Sequence, residues 1–346
     1  IESVRYLRKK FPNLPIKVET ITGLPGDNYN KNLTQINSLI NNDIPVGRCH
    51  TWLLLPESPA FSPEMRDKFK IKTIKKMLWS GNWAIKEQFK NVPGVHSTVA
   101  SSWINTNVET VIGTYSYSTD DWIDMHLINA FALGNESTNI NNHLRKYMKA
   151  QHNVEPAELL DVIFKKYVKP NQLTEQSKIK QLFAKSYTLM SDWVFGNGIQ
   201  GGVDYHPDFP MLMSPHTYYG FVALTNADEF YYSIGQDLAK QYNDPVIEDL
   251  AIFLRNSIID SEYDPTVGRK FTTKYNWLQY FETYQLVSGL YAYQVNDREV
   301  YLDRRIQKIN WHQYRDNPLK KHEQYLYQAR GIPSQSNYSR TVKLQC

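Results

Sequence analysis

The sequence predicts an α/β fold in which a short β-α-β unit precedes a longer, mostly helical region. Two strand-like apolar runs in residues 16–55 flank one helical pattern, so the strands should be parallel and joined by a right-handed crossover. From residue 140 onward, apolar residues recur mainly at helical spacing. A hydrophobic content of 41% in 346 residues is sufficient for one or two sizeable cores.

The first strand ends in a glycine turn. Residues 16–21 alternate with the period of a β-strand, and Gly23 and Gly26 then bracket a Leu-Pro pair. Glycine adopts the backbone conformations of tight turns readily, so a sharp turn is expected here. Asp27 is predicted to cap a following helix of roughly four turns. The apolar positions of that helix are Leu33, Ile36 and Ile40.

The second strand is predicted over residues 46–55 and ends at Leu55-Pro56. Ligands of parallel sheets bind beyond the carboxyl ends of the strands. We therefore expect the glycine turn and the turn at residues 55–59 to lie on one functional edge.

Polar side chains mark one face of each strand. Lys17 and Glu19 lie on the first strand, and Arg48 and His50 lie on the second. Charged groups in a closed interior need partners, so Glu19 is expected to pair with Arg48 or His50. Three interpretations stay open: contact with a ligand, a structural ion pair, or residues near a strand start that are exposed to water.

The remaining elements are predicted from periodicity and punctuation. Short strands are expected near residues 71–78, 95–104 and 109–115, and a capped helix is expected to begin at Ser118-Thr-Asp-Asp121. Residues 275–296 are aromatic and fit either a helix or a strand. His143 and His152 are expected to be solvent-exposed or to cap a helix. Further helices are expected at 140–152, 156–168, 174–195, 228–242 and 245–260.

Three segments resemble radical S-adenosylmethionine (SAM) enzymes. Glu19-Thr-Ile-Thr-Gly-Leu-Pro-Gly-Asp27 resembles the end of the fifth barrel strand, where a GLPG turn lies beside SAM. Trp52-Leu-Leu-Leu-Pro-Glu-Ser-Pro59 resembles the end of the sixth strand, which lies near the adenine of SAM. Val111-Ile-Gly-Thr-Tyr-Ser-Tyr-Ser-Thr-Asp-Asp-Trp122 resembles a segment after the barrel in the cobalamin-binding branch.

This resemblance implies the last strands of a parallel, partial TIM-type barrel followed by a mostly helical C-terminal domain. The implied domains are the end of the barrel (1–70), an α/β extension docking on it (71–137) and the helical domain (138–346). The implied SAM-binding residues are Thr22, Gly23, Leu24, Pro25, Gly26, Leu55 and Pro56. The implied candidates for contacts with substrate or the barrel interior are Glu19, Arg48, His50, Tyr115 and Tyr117.

The resemblance also implies a chemistry. Radical SAM enzymes cleave SAM reductively to a 5′-deoxyadenosyl radical, which abstracts hydrogen from a substrate; the cobalamin-dependent branch often transfers a methyl group. The implied cofactors of the complete enzyme are SAM, a [4Fe–4S] cluster and cobalamin. This chain alone lacks the C-x3-C-x2-C loop that ligates the cluster, because its two cysteines are Cys49 and Cys346. We therefore expect it to be the C-terminal part of a longer enzyme, or a subunit whose partner carries the cluster.

Two alternatives belong to other classes of protein. One is a non-catalytic subunit that lacks the cluster and binds a partner. The other is a nucleic-acid-binding protein that uses the basic and aromatic residues of 298–330. Acidic residues interrupt that stretch and the net charge is only +4, so nucleic acid is not the expected partner.

Other motifs carry little weight. Gly196-Asn-Gly-Ile-Gln-Gly201 matches a dinucleotide fingerprint, but a predicted helix precedes it where a strand is required. Residues 204–208 offer acidic and histidine side chains on an irregular loop, which favours an ordinary surface loop over a metal site. Two distant cysteines favour a cytoplasmic protein, and no apolar run is long enough to cross a membrane.

Overall fold

The β-α-β unit predicted near the start of the chain is present. In the computed structural model, helix α1 (Glu2–Lys10) is followed by strand β1 (Val18–Thr22), helix α2 (Tyr29–Asn41) and strand β2 (Val46–Thr51). The strands are parallel, with Glu19 opposite Arg48 and Thr22 opposite Thr51. The structure describes residues 1–12, 16, 18–44, 46–75, 109–138, 140–169, 177–195, 215–257, 269–295 and 344–345.

A second, antiparallel sheet follows directly. It contains strands β3 (Leu53–Leu54), β4 (Lys72–Ile74) and β5 (Glu109–Gly113), with β5 in the middle. A short 3₁₀ turn (Pro59–Phe61) and helix α3 (Pro63–Phe69) connect β3 to β4. The strand predicted near residues 109–115 is confirmed, and every residue of β5 is buried. The strand predicted at 95–104 lies outside the described residues.

Helices dominate the remaining described residues. The predicted helical pattern is confirmed where the structure describes it, whereas residues 269–295 form a strand, a helix and a second strand. The helices are α4 (Thr119–Thr138), α5 (Asn142–His152), α6 (Pro156–Tyr167), α7 (Lys178–Phe195), α8 (Pro215–Thr225), α9 (Ala227–Tyr242), α10 (Val246–Ser257) and α11 (Trp277–Thr283). The strands are β6 (Arg269–Tyr275), β7 (Ser288–Val295) and β8 (Leu344–Gln345), which form an antiparallel sheet.

The mixed α/β class is therefore confirmed. Within the described ranges the strands form three small sheets and no closed barrel. None of the helices in these ranges is both long and apolar enough to span a membrane.

The chain divides into two compact units. The first comprises residues 1–134 and 160–219, and the second comprises residues 135–159 and 220–346. Aromatic rings fill the first core: Phe131 packs edge-on against Phe183 and Tyr219, with ring centroids 6.0 and 5.4 Å apart. The boundaries proposed above at residues 70 and 137 stay predictions.

The second unit is built around a buried tryptophan. Trp277 is fully buried, and its indole Nε1 donates a hydrogen bond to Asp249 Oδ2 at 2.9 Å. The other carboxylate oxygen of Asp249 accepts from the backbone N–H of Lys274. One buried carboxylate thus joins α10 to β6 and α11.

The two histidines of α5 are not simply exposed. The ring of His143 packs against Phe281, with centroids 4.3 Å apart, and burial lowers the pKa of His143 to about 4. His152 Nε2 lies 2.8 Å from Asp244 Oδ2, which also accepts a hydrogen bond from Tyr147. Both histidines are held by packing within the second unit, and this packing cannot be read from the local sequence pattern.

Candidate functional site

The glycine turn after β1 has the conformation that its sequence predicts. Gly23 and Gly26 have φ angles of +92° and +93°, a region that other residues rarely adopt. A Cβ atom on Gly23 would lie only 2.9 Å from the hydroxyl oxygen of Tyr117. Both backbone conformation and space therefore require glycine at position 23.

Asp27 closes this turn, so its predicted role as the cap of α2 is wrong. Its Oδ2 accepts hydrogen bonds from the backbone N–H groups of Gly23 and Leu24, at 3.0 and 2.9 Å. The cap is Asn28, whose Oδ1 accepts from the N–H of Lys31. Asp and Asn are equally good caps, so the sequence alone did not separate the two neighbours.

The turn lies at the carboxyl ends of the parallel strands. The carbonyl of Thr22 accepts from the N–H of Trp52, just beyond β2, at 3.1 Å. The carbonyl of Trp52 in turn accepts from Val111 of β5 at 3.0 Å. Strand β5 is thereby aligned beside the ends of β1 and β2, and the chain that leaves β5 approaches the turn.

The segment after β5 contacts the turn directly. Ser116 Oγ accepts from the backbone N–H of Gly26 at 3.0 Å, and the Tyr117 hydroxyl donates to the carbonyl oxygen of Gly23. The glycine turn and the segment after β5 are therefore in contact, although 90 positions separate Gly26 from Ser116.

The two tyrosines of this segment have different environments. Tyr117 is buried, and burial, together with the nearby charge of Asp27, raises its pKa. Its phenol is therefore neutral and acts as a donor that supports the turn, rather than as a side chain on an open surface. Tyr115 is 60% exposed, with its ring stacked on Phe69 at 6.3 Å.

Helix α4 supports the turn from the covered face of β1. Asn129 Nδ2 donates to Thr22 Oγ1 and to Asn32 Oδ1, both at 2.8 Å. The Thr22 side chain is consequently buried, which leaves only its backbone at the turn. Trp122 is fully buried beside Gly23. The sequence contains one sign of this role: Asn129 is a polar residue seven positions after Trp122, and therefore lies on the same face of the helix.

The opposite face of the parallel strands is open in the described structure. His50 Nε2 lies 3.1 Å from Glu19 Oε2, so the predicted pairing of Glu19 is with His50. These side chains are 41% and 61% exposed. Ile21, which shares this face with Glu19 by strand alternation, is also exposed. Arg48 is placed by its backbone alone, opposite Glu19.

Leu55 and Pro56 follow β3 in a separate exposed turn. The carbonyl of Leu55 accepts from the N–H of Ser58 at 3.1 Å, and Glu57 has a φ of +68°. The hydrogen bonds of the described residues do not connect this turn to Gly23 or Gly26. Leu24 is partly exposed on the glycine turn itself, next to Pro25.

An ion pair fixes the segment that follows Leu55-Pro56. The Arg66 guanidinium makes two hydrogen bonds to the Glu109 carboxylate, at 2.9 and 3.0 Å, and Thr73 donates to the same carboxylate. Arg66 Nε also donates to the carbonyl of Phe61. The Arg66 guanidinium holds the pKa of Glu109 below its ordinary value. This network joins α3 to β4 and β5.

The described residues contain no group of three or more histidine, cysteine or acidic side chains that could bind a metal ion. Burial raises the pKa of the Cys49 thiol to about 11, so the free thiol is neutral at pH 7. Three stretches discussed above lie outside the described part of the chain: residues 196–201, 204–208 and 298–330.

No protein-family model matches this sequence, and no curated protein matches it.

Proposed function

We propose that this chain is the C-terminal portion of a radical SAM enzyme of the cobalamin-dependent kind. One observation carries the proposal. The glycine turn and the segment at residues 115–122, which independently resemble parts of that family, are in contact at the carboxyl ends of two parallel strands. This edge is where parallel sheets bind ligands.

The glycine turn would form part of the SAM pocket, through the backbone of Thr22 to Gly26. Gly26 has a positive φ and no side chain, so a ligand could approach its backbone closely, whereas Tyr117 and Trp122 already cover Gly23. Leu55 and Pro56 would contribute from the next turn. Glu19 and His50, on the open strand face, are the groups of this chain that would reach SAM or the substrate, with Arg48 beside them in register.

The open strand face also supports a partial barrel. Parallel sheets are normally covered on both faces, whereas here one face carries exposed Glu19 and Ile21. In the described structure β1 pairs with β2 alone. We propose that preceding strands, from the same polypeptide or from a partner subunit, complete this sheet.

The residues present do not fit the iron–sulfur cluster. The sequence has two cysteines, and one of them, Cys49, is half-buried with a raised pKa, so its thiol is neutral. Thiolates are the usual cluster ligands, so these ligands would come from outside this chain. When bound and reduced, the cluster and SAM would supply the radical; this chain would position SAM and cover the substrate.

A second candidate follows from the cysteine count. A subunit that has lost the cluster would keep the fold of the turn but act by binding a partner. Sequencing the natural gene upstream of Ile1 separates the two: a C-x3-C-x2-C loop in the same polypeptide supports the enzyme, and its absence supports the binding subunit.

The pocket itself is tested by Gly23→Val in the full-length natural protein. Valine cannot adopt the turn conformation without strain and would collide with Tyr117. We expect SAM affinity, measured by calorimetry, to fall by more than roughly tenfold while the circular dichroism spectrum is retained. The matched control is Asn153→Val, which puts valine at another positive φ in the second unit. Unchanged affinity in Gly23→Val would remove this turn from the pocket.

A further inference from the structure

Three side chains from residues 116–129 hold the glycine turn. Ser116 accepts from the N–H of Gly26, Tyr117 donates to the carbonyl of Gly23, and Asn129 donates to Thr22. The chain separations are 90, 94 and 107 positions. The turn is thus bound at its first, second and last residues by a distant part of the chain.

Tyr117 fixes the carbonyl of Gly23. Its ring is buried and its phenol is neutral, so the hydroxyl can donate this bond. Asp27 bonds the N–H of the same glycine. The peptide groups on both sides of Gly23 are therefore oriented, which limits the rotation of the turn about that residue.

Asn129 fixes the distance between the strand and the helix on either side of the turn. Its amide group donates one hydrogen to Thr22, at the end of β1, and the other to Asn32, in the first turns of α2. Both donors of a buried side chain are used, so the two elements are held through one rigid planar group.

We propose that Tyr117 and Asn129 are positioning residues for SAM, which set the shape of the turn before the ligand binds. This inference rests on the proposed function. A loop that is already ordered loses less conformational entropy on binding, so its affinity for a ligand is higher. Control of SAM affinity would then reside in a segment, residues 116–129, whose key side chains face away from the open strand face.

The test compares two tyrosine-to-phenylalanine substitutions in the full-length protein. Tyr117→Phe removes the hydroxyl that bonds Gly23, and Tyr218→Phe removes one that bonds the carbonyl of Leu182 at 2.7 Å. Both are buried tyrosines of the first unit that donate to a backbone carbonyl. Thermal stability should fall by a similar amount in both variants.

Only Tyr117→Phe should weaken SAM binding, by up to roughly tenfold in calorimetric titration, because at most the free energy of one hydrogen bond is lost from the ordering of the turn. Asn129→Leu should weaken it further because two bonds are lost. Equal affinities of the wild type and Tyr117→Phe would overturn the inference. An equal loss in Tyr218→Phe would also overturn it, because general stability would then explain the effect.

Amide hydrogen exchange of the ligand-free protein provides a second readout. Tyr117→Phe should speed exchange at Gly23, Leu24 and Gly26, and Tyr218→Phe should not. Unaltered exchange would refute the positioning role. If the wild type does not bind SAM, the proposed function fails, while the exchange result still decides whether Tyr117 orders the turn.

Discussion

At the scale of single residues, the glycine turn depends on one carboxylate. Asp27 accepts from two backbone N–H groups of the turn, whereas its neighbour Asn28 caps α2. Adjacent and chemically similar side chains thus stabilise different structures.

Asp27→Ala and Asn28→Ala should separate these roles. Asp27→Ala leaves two N–H groups without their acceptor and should lower the free energy of unfolding by about 1–3 kcal/mol. Asn28→Ala should cost about 1 kcal/mol through the lost cap. Hydrogen exchange should rise at Gly23 and Leu24 in the first variant only, and Asp27→Asn should restore most of the protection. Equal exchange in the two alanine variants would contradict the assignment.

At the scale of elements, the Arg66–Glu109 pair joins α3 to the central strand of the second sheet. Both side chains are largely buried, at 27% and 11% exposure, and the pairing is bidentate. Removing one partner from such a pair leaves an uncompensated charge.

Arg66→Ala should therefore lower the free energy of unfolding by about 3 kcal/mol, measured by chemical denaturation. The control is Lys70→Ala, which breaks the exposed Lys70–Asp67 pair at the end of the same helix. That variant should unfold almost like the wild type. If Lys70→Ala lowers the free energy of unfolding as much as Arg66→Ala does, the effect comes from α3 as a whole and not from the Arg66–Glu109 pair.

The same pair predicts an acid dependence. The hydrogen bonds from Arg66 lower the pKa of Glu109 from its ordinary value of 4.5. The pair therefore contributes stability above pH 4.5, and this contribution is lost as the pH falls through the lower pKa of the folded state. The midpoint of chemical denaturation is measured at decreasing pH, starting from neutral. Below pH 4.5 this midpoint should fall less steeply in Arg66→Gln than in the wild type. If the midpoint falls equally steeply in both proteins, carboxylates other than Glu109 determine the acid dependence of stability.

The elements that could be predicted from sequence have local signals. The turn at Gly23 and Gly26, the helix cap at Ser118 and the first-turn proline Pro156 are all visible within a few residues. Residues 275–296 are ambiguous in sequence because aromatic side chains suit buried helices and strands alike. The helix inside this segment begins at Trp277 and is capped by Asn276, whose side chain accepts from the N–H of Gln279. This cap is the local signal that could have resolved the ambiguity.

The supports of the candidate site could not be predicted from local pattern. Asn129 reaches Thr22 across 107 positions, and Tyr117 reaches Gly23 across 94. The packing of α4 decides which face of β1 these side chains cover. The resemblance implies a substrate contact for Tyr117, which stays a prediction; the structure adds that its buried hydroxyl bonds the carbonyl of Gly23.

At the scale of the whole molecule, the cysteine count makes a direct prediction. After anaerobic incubation with iron and sulfide, this chain alone should not show the absorption of a [4Fe–4S] cluster, because it has two cysteines where the cluster loop has three. A longer natural polypeptide with the three-cysteine loop should show it. The double variant Cys49→Ser, Cys346→Ser should behave like the unaltered chain. Stoichiometric cluster formation in the chain alone would contradict the proposal.

The long separations across the glycine turn bear on the order of events during synthesis. Gly23 and Thr22 leave the ribosome about a hundred residues before Tyr117 and Asn129. Until helix α4 has emerged and docked, the turn lacks its outer supports, and contacts at such separation form slowly. The turn of the nascent chain should thus become fully ordered only after α4 has emerged, and ribosome-bound chains truncated before residue 116 should lack protection at the N–H of Gly26.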